Sequence, residues 1–153
     1  MAKLRGRFFH KAHPFLLPRR YMVARLESDP DSLQHLMSAV RYIGSLYAPE
    51  IPSDGLRDRA LAQVGLSDLP PNGFTVQALL ITAIATHSED DVEHARHILN
   101  RAIYLALEIG LHSRTFANME SDPVMAECWR RTYWGCYIVD GNFATMRRSP
   151  GFM

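Results

Sequence analysis

The sequence predicts an all-α protein, built as an irregular bundle of six to seven helices in one domain. Three observations lead to this prediction. Apolar residues recur at intervals of three and four through most of the chain, which is the spacing of one face of a helix. No stretch alternates apolar and polar residues as a half-buried strand does. Hydrophobic residues make up 47% of the 153 residues, which suffices for a folded core.

The N-terminal half contains two long periodic segments. Residues 30–48 are expected to form a helix, because Asp29 is a good N-cap residue and the proline that follows it is tolerated at the first helical position. Residues 53–66 are expected to form the next helix, which Gly65 would end. Two short helices are expected near the N-terminus, on either side of the prolines at positions 14 and 18.

The middle of the chain predicts a helical pair. Residues 73–88 are apolar around nearly the whole circumference of a helix, which indicates a central, buried element. Ser88 is expected to cap the following helix, with three acidic residues in its first turn, where the helix dipole favours negative charge. That helix is expected to reach Ile109, because Gly110 can adopt the left-handed conformation that ends many helices.

The last helix is expected to begin at Asp122 and Pro123 and to run to about residue 147. Gly135 lies inside it. A glycine there costs about 1 kcal/mol of helix propensity relative to alanine, which a close contact with another helix would offset. Three aromatic residues of this helix are expected to lie in the core: Trp134, Tyr137 and Phe143.

Asp140 is a single carboxylate among these apolar residues. A carboxylate at the edge of a core needs a partner, and an arginine from another helix is the expected one. Glu127 is expected to form exposed pairs instead, because two arginines follow it at three and four residues.

Charge is unevenly distributed along the chain. Residues 1–26 contain seven basic residues and no acidic residue, whereas the remainder contains ten basic and sixteen acidic residues. Such an arm could contact nucleic acid or an acidic partner, but a solvated first helix explains it more simply and is the interpretation we favour. No apolar run is long enough for a signal peptide or a membrane span, so we expect a soluble intracellular protein.

The histidines are the strongest hint of a metal site. His94 and His97 lie three residues apart on one predicted helix, close to His87, and a metal-dependent helical hydrolase would rest on them alone. No second ligand pair accompanies them, and Cys128 and Cys136 are too few for a zinc cluster, so we predict neither a metal nor a cofactor in this chain. No nucleophile motif and no glycine-rich phosphate loop occurs, so an enzyme is not predicted.

Three segments carry a resemblance to a known family. They are FFHKAHPFLLPRRYMVARL (residues 8–26), VQALLITAIATHSEDDVEHARHILNRAIYLALEIGLH (residues 76–112) and ECWRRTYWGCYIVDGNFATMRRSP (residues 127–150). In this order they resemble the regulatory domain, or middle homology region, of fungal zinc-cluster transcription factors, also named from xylanolytic activators. The pattern departs from the family at Gly141, where an arginine is usual, and at the residues just before Pro150.

The resemblance implies that the long helix containing Arg101 and Arg96 runs antiparallel beside the last helix, which makes these two arginines the expected partners of Asp140 in a structural polar tie. The resemblance also implies a nuclear module of transcription regulation rather than an enzyme. It implies that residues 1–153 are the N-terminal part of a larger helical domain, and that full-length relatives carry a zinc-cluster domain before it, so that zinc and DNA would be bound only by that missing domain. The implied partners are proteins of the transcription machinery or a small-molecule effector, with a homodimer as a further option. The alternative is a truncated helical interaction module without independent activity.

Overall fold

The computed structural model describes residues 14–148, and in that range the chain is all-α, as predicted. Those residues contain seven α-helices and one 3₁₀-helix but no strand. The α-helices α1 to α7 are Arg19–Ser28, Gln34–Leu46, Asp54–Val64, Gly73–Ser88, Val92–Glu108, Arg114–Asn118 and Pro123–Arg148. The 3₁₀-helix, Pro30–Leu33, lies between α1 and α2.

The central helix is α4, and its bounds are those that the sequence predicts. Thirteen of its sixteen residues are buried, since α2, α3, α5 and α7 all pack against it. Its first turn is capped by Asn72, whose side-chain oxygen accepts a hydrogen bond from the backbone N–H of Thr75 at 3.0 Å. The buried core of the described residues is therefore organised around a helix that is buried on nearly every side.

The turn between α4 and α5 differs from the prediction. Ser88 does not cap α5; it is the last residue of α4, and its hydroxyl donates to the carbonyl of Ile84 at 2.9 Å. The chain reverses at Asp90, which has a left-handed φ of 64°, and α5 begins at Val92. At the other end of α5, Gly110 has a φ of 79°, which confirms the predicted left-handed stop.

A cluster of polar side chains fixes this turn to the neighbouring helices. The Tyr42 hydroxyl of α2 donates to the Glu89 carboxylate. The Arg57 guanidinium of α3 lies 3.6 Å from Glu89 and 3.7 Å from Asp91. Burial and the adjacent Glu89 carboxylate raise the pKa of Tyr42 far above its ordinary value. This cluster holds a turn after which α5 begins at Val92, three residues later than an N-cap at Ser88 would require.

The start of α2 is also later than predicted. Residues 30–33 form the 3₁₀-helix, and the α-helix begins only at Gln34. The Asp29 side chain makes no capping hydrogen bond. It accepts instead from the Arg25 guanidinium of α1 at 3.4 Å, and this contact competes with the expected N-cap.

The N-terminal predictions are only partly covered by the described residues. α1 begins directly after Pro18, whereas the short helix expected before Pro14 lies outside them, as does most of the basic arm. Of the basic residues within the described part, Arg19 and Arg20 are exposed. Arg25 is half-buried and donates to the Ser32 hydroxyl at 3.1 Å.

The long helix α7 lies across both α4 and α5. It runs parallel to α4, because Gln77 contacts Thr132 near one end and His87 stacks on Phe143 near the other. It runs antiparallel to α5, since Arg96 contacts Asp140 while the rings of His112, just beyond α5, and Tyr133 lie 6.3 Å apart. The antiparallel arrangement is the one that the sequence predicts.

Candidate interaction surface on the C-terminal helix

α7 begins where the sequence predicts. The Asp122 carboxylate accepts a hydrogen bond from the backbone N–H of Val124 at 2.9 Å, and Pro123 occupies the first helical position. The helix continues for 26 residues, which is longer than the α4 and α5 helices that it crosses. α7 can therefore present one face to the core, one edge to α5 and one face to solvent.

The inner face of α7 holds a buried polar network. The Gln77 amide of α4 donates to the Phe15 carbonyl at 3.0 Å and to the Thr132 hydroxyl at 2.9 Å. The Cys128 thiol donates to the same Phe15 carbonyl at 3.2 Å. Thr132 donates to the Cys128 carbonyl at 2.8 Å. This network joins α4, α7 and the segment before α1, and it fixes the register of the two parallel helices.

Both cysteines are core residues. Burial raises the pKa of Cys128 to about 11 and the pKa of Cys136 to about 12. Each thiol therefore stays protonated at neutral pH, whereas a reactive cysteine requires the thiolate. Both are free and buried, and they pack as small core residues.

Two glycines allow ring systems to pack directly on the helix backbones. A Cβ atom at Gly135 would lie 2.9 Å from the Phe15 ring and 3.2 Å from the Leu80 side chain. The predicted close contact at Gly135 is therefore confirmed. At Gly73, the first residue of α4, a Cβ atom would lie 2.3 Å from the Trp129 ring. Both positions require glycine because of this contact, not because of an unusual φ.

The aromatic residues of α7 are distributed differently from the prediction. Trp134 and Tyr137 are 59% and 67% exposed, so the prediction that they lie in the core is wrong. Phe143 is buried, as predicted, and stacks on the His87 ring at 4.3 Å. The tryptophan that does enter the core is Trp129, whose indole N–H donates to Glu120 at 3.1 Å.

The spacing along the helix explains this difference. The buried stripe of α7 consists of residues three or four apart: Trp129, Thr132, Cys136, Val139 and Phe143. Trp134 and Tyr137 fall on the opposite side of the helix, where their rings make an edge-to-face contact at 5.7 Å. The three-and-four spacing that begins at Trp129 was the signal that would have identified the inner face.

The exposed side of α7, which we call the outer face, is apolar at its centre. Trp134, Tyr137 and Ile138 are each more than half exposed. At its N-terminal end Glu127 pairs with Arg131 at 2.9 Å and with Arg130 at 3.5 Å. The hydrogen bond from Arg131 lowers the pKa of Glu127. A cluster of large exposed apolar side chains bordered by charges is typical of an interaction surface.

The edge of α7 carries the carboxylate that the sequence analysis singled out. The Arg96 guanidinium donates to Asp140 at 2.6 Å, and the two side chains are 28% and 44% exposed. Arg101 does not join them, because its guanidinium donates at 2.6 Å to the Val64 carbonyl at the end of α3. The structure thus brings Arg96 to Asp140 and directs Arg101 to a different helix.

Other candidate sites are weaker. A groove of about 270 Å³ lies between the segment before α1 and the start of α7, with Cys128 and Arg131 among its lining residues. His94 and His97 are exposed, and His94 lies 3.4 Å from Asp91. Within residues 14–148, no group of three or more His, Cys, Asp or Glu residues could hold a metal ion. In that part of the chain, no helix combines the length and the apolar character that crossing a membrane requires.

Comparison with known proteins identifies the family. The sequence profile of the fungal specific transcription factor domain matches residues 26–151, which cover the helices α2 to α7 and the last three residues of α1. The chain belongs to this family. The fungal specific transcription factor domain is found in regulators of transcription, and the relatives of this chain carry corresponding names.

Three relatives illustrate the match. The chain is 36% identical over 148 residues to the C6 finger domain transcription factor iacK of Pestalotiopsis fici, covering 95% of this chain and 22% of that protein. It is 35% identical over 75 residues to cutinase transcription factor 1 beta of Fusarium vanettenii, which is 49% of this chain and 8% of that protein. It is 29% identical over 82 residues to an uncharacterized transcriptional regulatory protein of Schizosaccharomyces pombe, which is 54% of this chain and 13% of that protein.

The chain therefore spans less than a quarter of the length of these relatives. No solved structure matches it. In the described residues, this family domain is an all-α core with the outer face of α7 exposed.

Proposed function

We propose that this chain is part of the regulatory, or middle homology, region of a fungal zinc-cluster transcription factor, and that it acts through contacts with other proteins rather than as an enzyme. The observation that carries the proposal is the family match over residues 26–151. The relative iacK, which is 36% identical, is itself a C6 finger transcription factor. A nuclear location and the xylanolytic-activator subtype belong to the same proposal.

The outer face of α7 supports a role in protein contacts. Exposed aromatic side chains dominate the energetics of many protein interfaces, and Trp134 and Tyr137 are both more than half exposed. The groove beside α7 is the alternative, as a site for a small-molecule effector. Its volume of about 270 Å³ lies just below the roughly 300–1,000 Å³ of ligand pockets, so the outer face is the better candidate.

In this proposal DNA and zinc are bound by another part of the full-length regulator. The chain corresponds to 22% of iacK, which leaves most of such a protein for other domains. The runner-up proposal is a helical interaction module without regulatory activity of its own. The two proposals differ in whether the folded chain changes transcription when it is brought to a promoter.

The test is a reporter assay in a fungal cell, with the whole chain fused to a heterologous DNA-binding domain. We expect the fusion to change reporter output severalfold relative to the DNA-binding domain alone. The control is Val76→Asp, which places a charge at a fully buried position of α4 and should abolish folding. If the parent fusion and the Val76→Asp fusion give the same output at equal protein levels, the regulatory proposal fails and the inert module is favoured.

A further inference from the structure

Asn72 and Gly73 are the only asparagine–glycine pair of the chain. The other three asparagines, Asn100, Asn118 and Asn142, are followed by arginine, methionine and phenylalanine. An asparagine before glycine is the most reactive kind in proteins, because glycine has no Cβ atom to hinder its backbone nitrogen as that nitrogen attacks the side-chain carboxamide. The attack closes a five-membered succinimide ring. The sequence therefore places the most reactive carboxamide of the chain at the start of α4.

The structure leaves the attacking nitrogen without a helical acceptor. Gly73 is the first residue of α4, and the first N–H groups of a helix have no acceptor within it. The side chain that would be attacked belongs to Asn72, which is only half-buried, so solvent water can reach it. Both reacting groups thus lie at the edge of the core, although the helix that follows them is buried.

Two aspartate–glycine pairs could form the same ring, but both are less suited to it. Gly141, after Asp140, lies inside α7, where a backbone N–H is bonded to the carbonyl four residues earlier. Gly55 lies in the first turn of α3 and lacks a helical acceptor. Its preceding residue, Asp54, carries a carboxylate, which loses oxygen far less readily than a carboxamide loses ammonia. Asn72 is therefore the site that the fold and the chemistry favour together.

The N-cap contact of Asn72 sets the rate of this reaction. Its side-chain oxygen accepts a hydrogen bond from the Thr75 N–H at 3.0 Å, and its ψ is 171°. The five-membered ring requires a different ψ, because the carboxamide carbon must come within bonding distance of the Gly73 nitrogen. The start of α4 must open before the ring can close, as helix ends do in local unfolding. The reaction is consequently slower in the folded chain than in the unfolded chain.

We propose that Asn72 is a site of spontaneous deamidation in this protein. The Gly73 nitrogen gives up its proton and bonds to Cγ of Asn72, the bond from Cγ to Nδ2 breaks, and ammonia leaves. Water then opens the ring at either of its two carbonyls. Opening at Cγ gives aspartate. Opening at the backbone carbonyl gives isoaspartate, in which the main chain runs through the former side chain.

The two products have opposite effects on α4. Aspartate keeps an oxygen for the Thr75 N–H and adds a negative charge that the helix dipole favours. Isoaspartate lengthens the main chain by one methylene and displaces the Asn72 carbonyl, which accepts from the Val76 N–H at 3.3 Å. It also shifts Gly73, against which the Trp129 ring packs so closely that a Cβ atom would lie 2.3 Å from it. Isoaspartate therefore loosens the contact between α4 and α7.

Incubation of the purified whole chain at mildly alkaline pH, followed by trypsin digestion and mass spectrometry, tests the assignment. Cleavage after Arg59 and Arg96 releases residues 60–96, in which Asn72 is the only asparagine. We expect this peptide to gain one mass unit severalfold faster than the peptides that contain the other three asparagines. It should also become a substrate of isoaspartyl methyltransferase. In denaturant the gain at Asn72 should be faster still, because no cap restrains the side chain.

Asn72→Ser is the matched control, because serine is also a good N-cap residue but has no carboxamide. This variant should keep its melting temperature through the incubation. The isoaspartate fraction of the parent chain, separated by chromatography, should melt at least about 3 °C lower than fresh protein, which is the shift expected for the loss of one N-cap. Asn72→Asp should melt like the parent chain or higher.

Three results would contradict this account. A mass gain in residues 60–96 that is no faster than at the other asparagines overturns the proposal. Equal rates at Asn72 in folded and denatured protein show that the N-cap does not control the reaction. An isoaspartate fraction that melts like fresh protein overturns the proposed loosening of α4 from α7.

Discussion

Asp140 shows how exposure sets the energetic value of a charged contact. Its hydrogen bond to Arg96 is short, at 2.6 Å, but the Asp140 side chain is 44% exposed. Removing the partner of a buried charge costs about 3–5 kcal/mol. A half-exposed, charge-assisted pair contributes less, about 1–2 kcal/mol, because solvent screens it. The Arg96–Asp140 pair therefore has the geometry of a good hydrogen bond, but its expected contribution to the free energy of unfolding is moderate.

We predict that Asp140→Ala lowers the free energy of unfolding by about 1–2 kcal/mol. Glu127→Ala is the matched control; it removes a carboxylate of the same helix whose arginine partners are about half exposed, and should cost about 0–1 kcal/mol. Asp140→Asn should fall between the two, because it keeps an acceptor but loses the charge. Denaturant midpoints measure all three. Equal midpoints for Asp140→Ala and the parent chain would show that the tie contributes nothing to stability.

The effect of a substitution at Gly73 on stability can be predicted more sharply, because the neighbour of this glycine is a rigid ring. A Cβ atom there would lie 2.3 Å from the Trp129 ring, so Gly73→Ala should destabilise the fold by about 1–3 kcal/mol through displaced packing. Gly44→Ala, inside α2, is the control, since no atom lies within 4 Å of its Cβ position; it should stabilise by up to about 1 kcal/mol. Thermal unfolding followed by near-ultraviolet circular dichroism reports both. A Gly73→Ala variant that melts like Gly44→Ala would contradict the packing of Trp129 on α4.

At the scale of the element, α7 is held to α4 by the network around Gln77. Gln77 and Thr132 are fully buried and share a hydrogen bond of 2.9 Å. Gln77→Leu and Thr132→Val should each cost about 1–2 kcal/mol. The double variant should cost less than the sum, by at least about 0.5 kcal/mol, because both changes break one network. A double-mutant cycle in denaturant measures this coupling, and strictly additive effects would show that the two side chains act independently.

The elements differ in how far the sequence determines them. α4 could be predicted with its bounds, because residues 73–88 are apolar on every side and no choice of face is needed. α7 could be predicted as a helix, but the side that faces the core depends on which neighbours pack against it. The preference of aromatic residues for the core suggested Trp134 and Tyr137, whereas the structure buries Trp129. The buried face of α7 follows the three-and-four spacing that includes Trp129 and Cys136, and this spacing is a better guide to the core side than the preference of aromatic residues.

The turn after α4 could not be predicted for a related reason. Serine followed by acidic residues is a good local N-cap sequence, and Ser88 satisfies it. The observed turn depends instead on Tyr42 and Arg57, which reach Glu89 from helices more than thirty residues earlier in the chain. Local sequence signals carry no information about such partners. The Arg96 contact with Asp140 could be anticipated because the helices containing these residues were expected to be antiparallel neighbours.

For the whole molecule, buried acidic groups predict how stability depends on pH. Folding raises the pKa of Cys128 and Cys136 from 9.0 to about 11 and about 12, and that of Tyr42 also rises. Each group ionises first in the unfolded chain, so its contribution is fully present below pH ~9 and is lost as the pH rises through the folded-state pKa. We expect the free energy of unfolding to fall between pH ~9 and ~11, by on the order of 1 kcal/mol per pH unit for each thiol.

Denaturant midpoints at neutral and alkaline pH measure this loss. The double variant Cys128→Ala with Cys136→Ala is the control, and it should lose less stability on the same alkaline shift because only Tyr42 among the three groups remains. An identical alkaline loss in parent and double variant would show that the thiols are not responsible.

The central claim about the molecule is that α7 directs one tryptophan into the core and presents the other on an exposed contact surface. The chain has only two tryptophans, so acrylamide quenching of Trp134→Phe and Trp129→Phe variants tests this claim directly. In Trp134→Phe the remaining tryptophan is Trp129, and we expect its fluorescence to peak at shorter wavelength and to resist quenching. In Trp129→Phe the remaining tryptophan is Trp134, and we expect its fluorescence to peak at longer wavelength and to be quenched readily. The reverse assignment in folded protein would contradict the orientation of α7 and the interaction surface that follows from it.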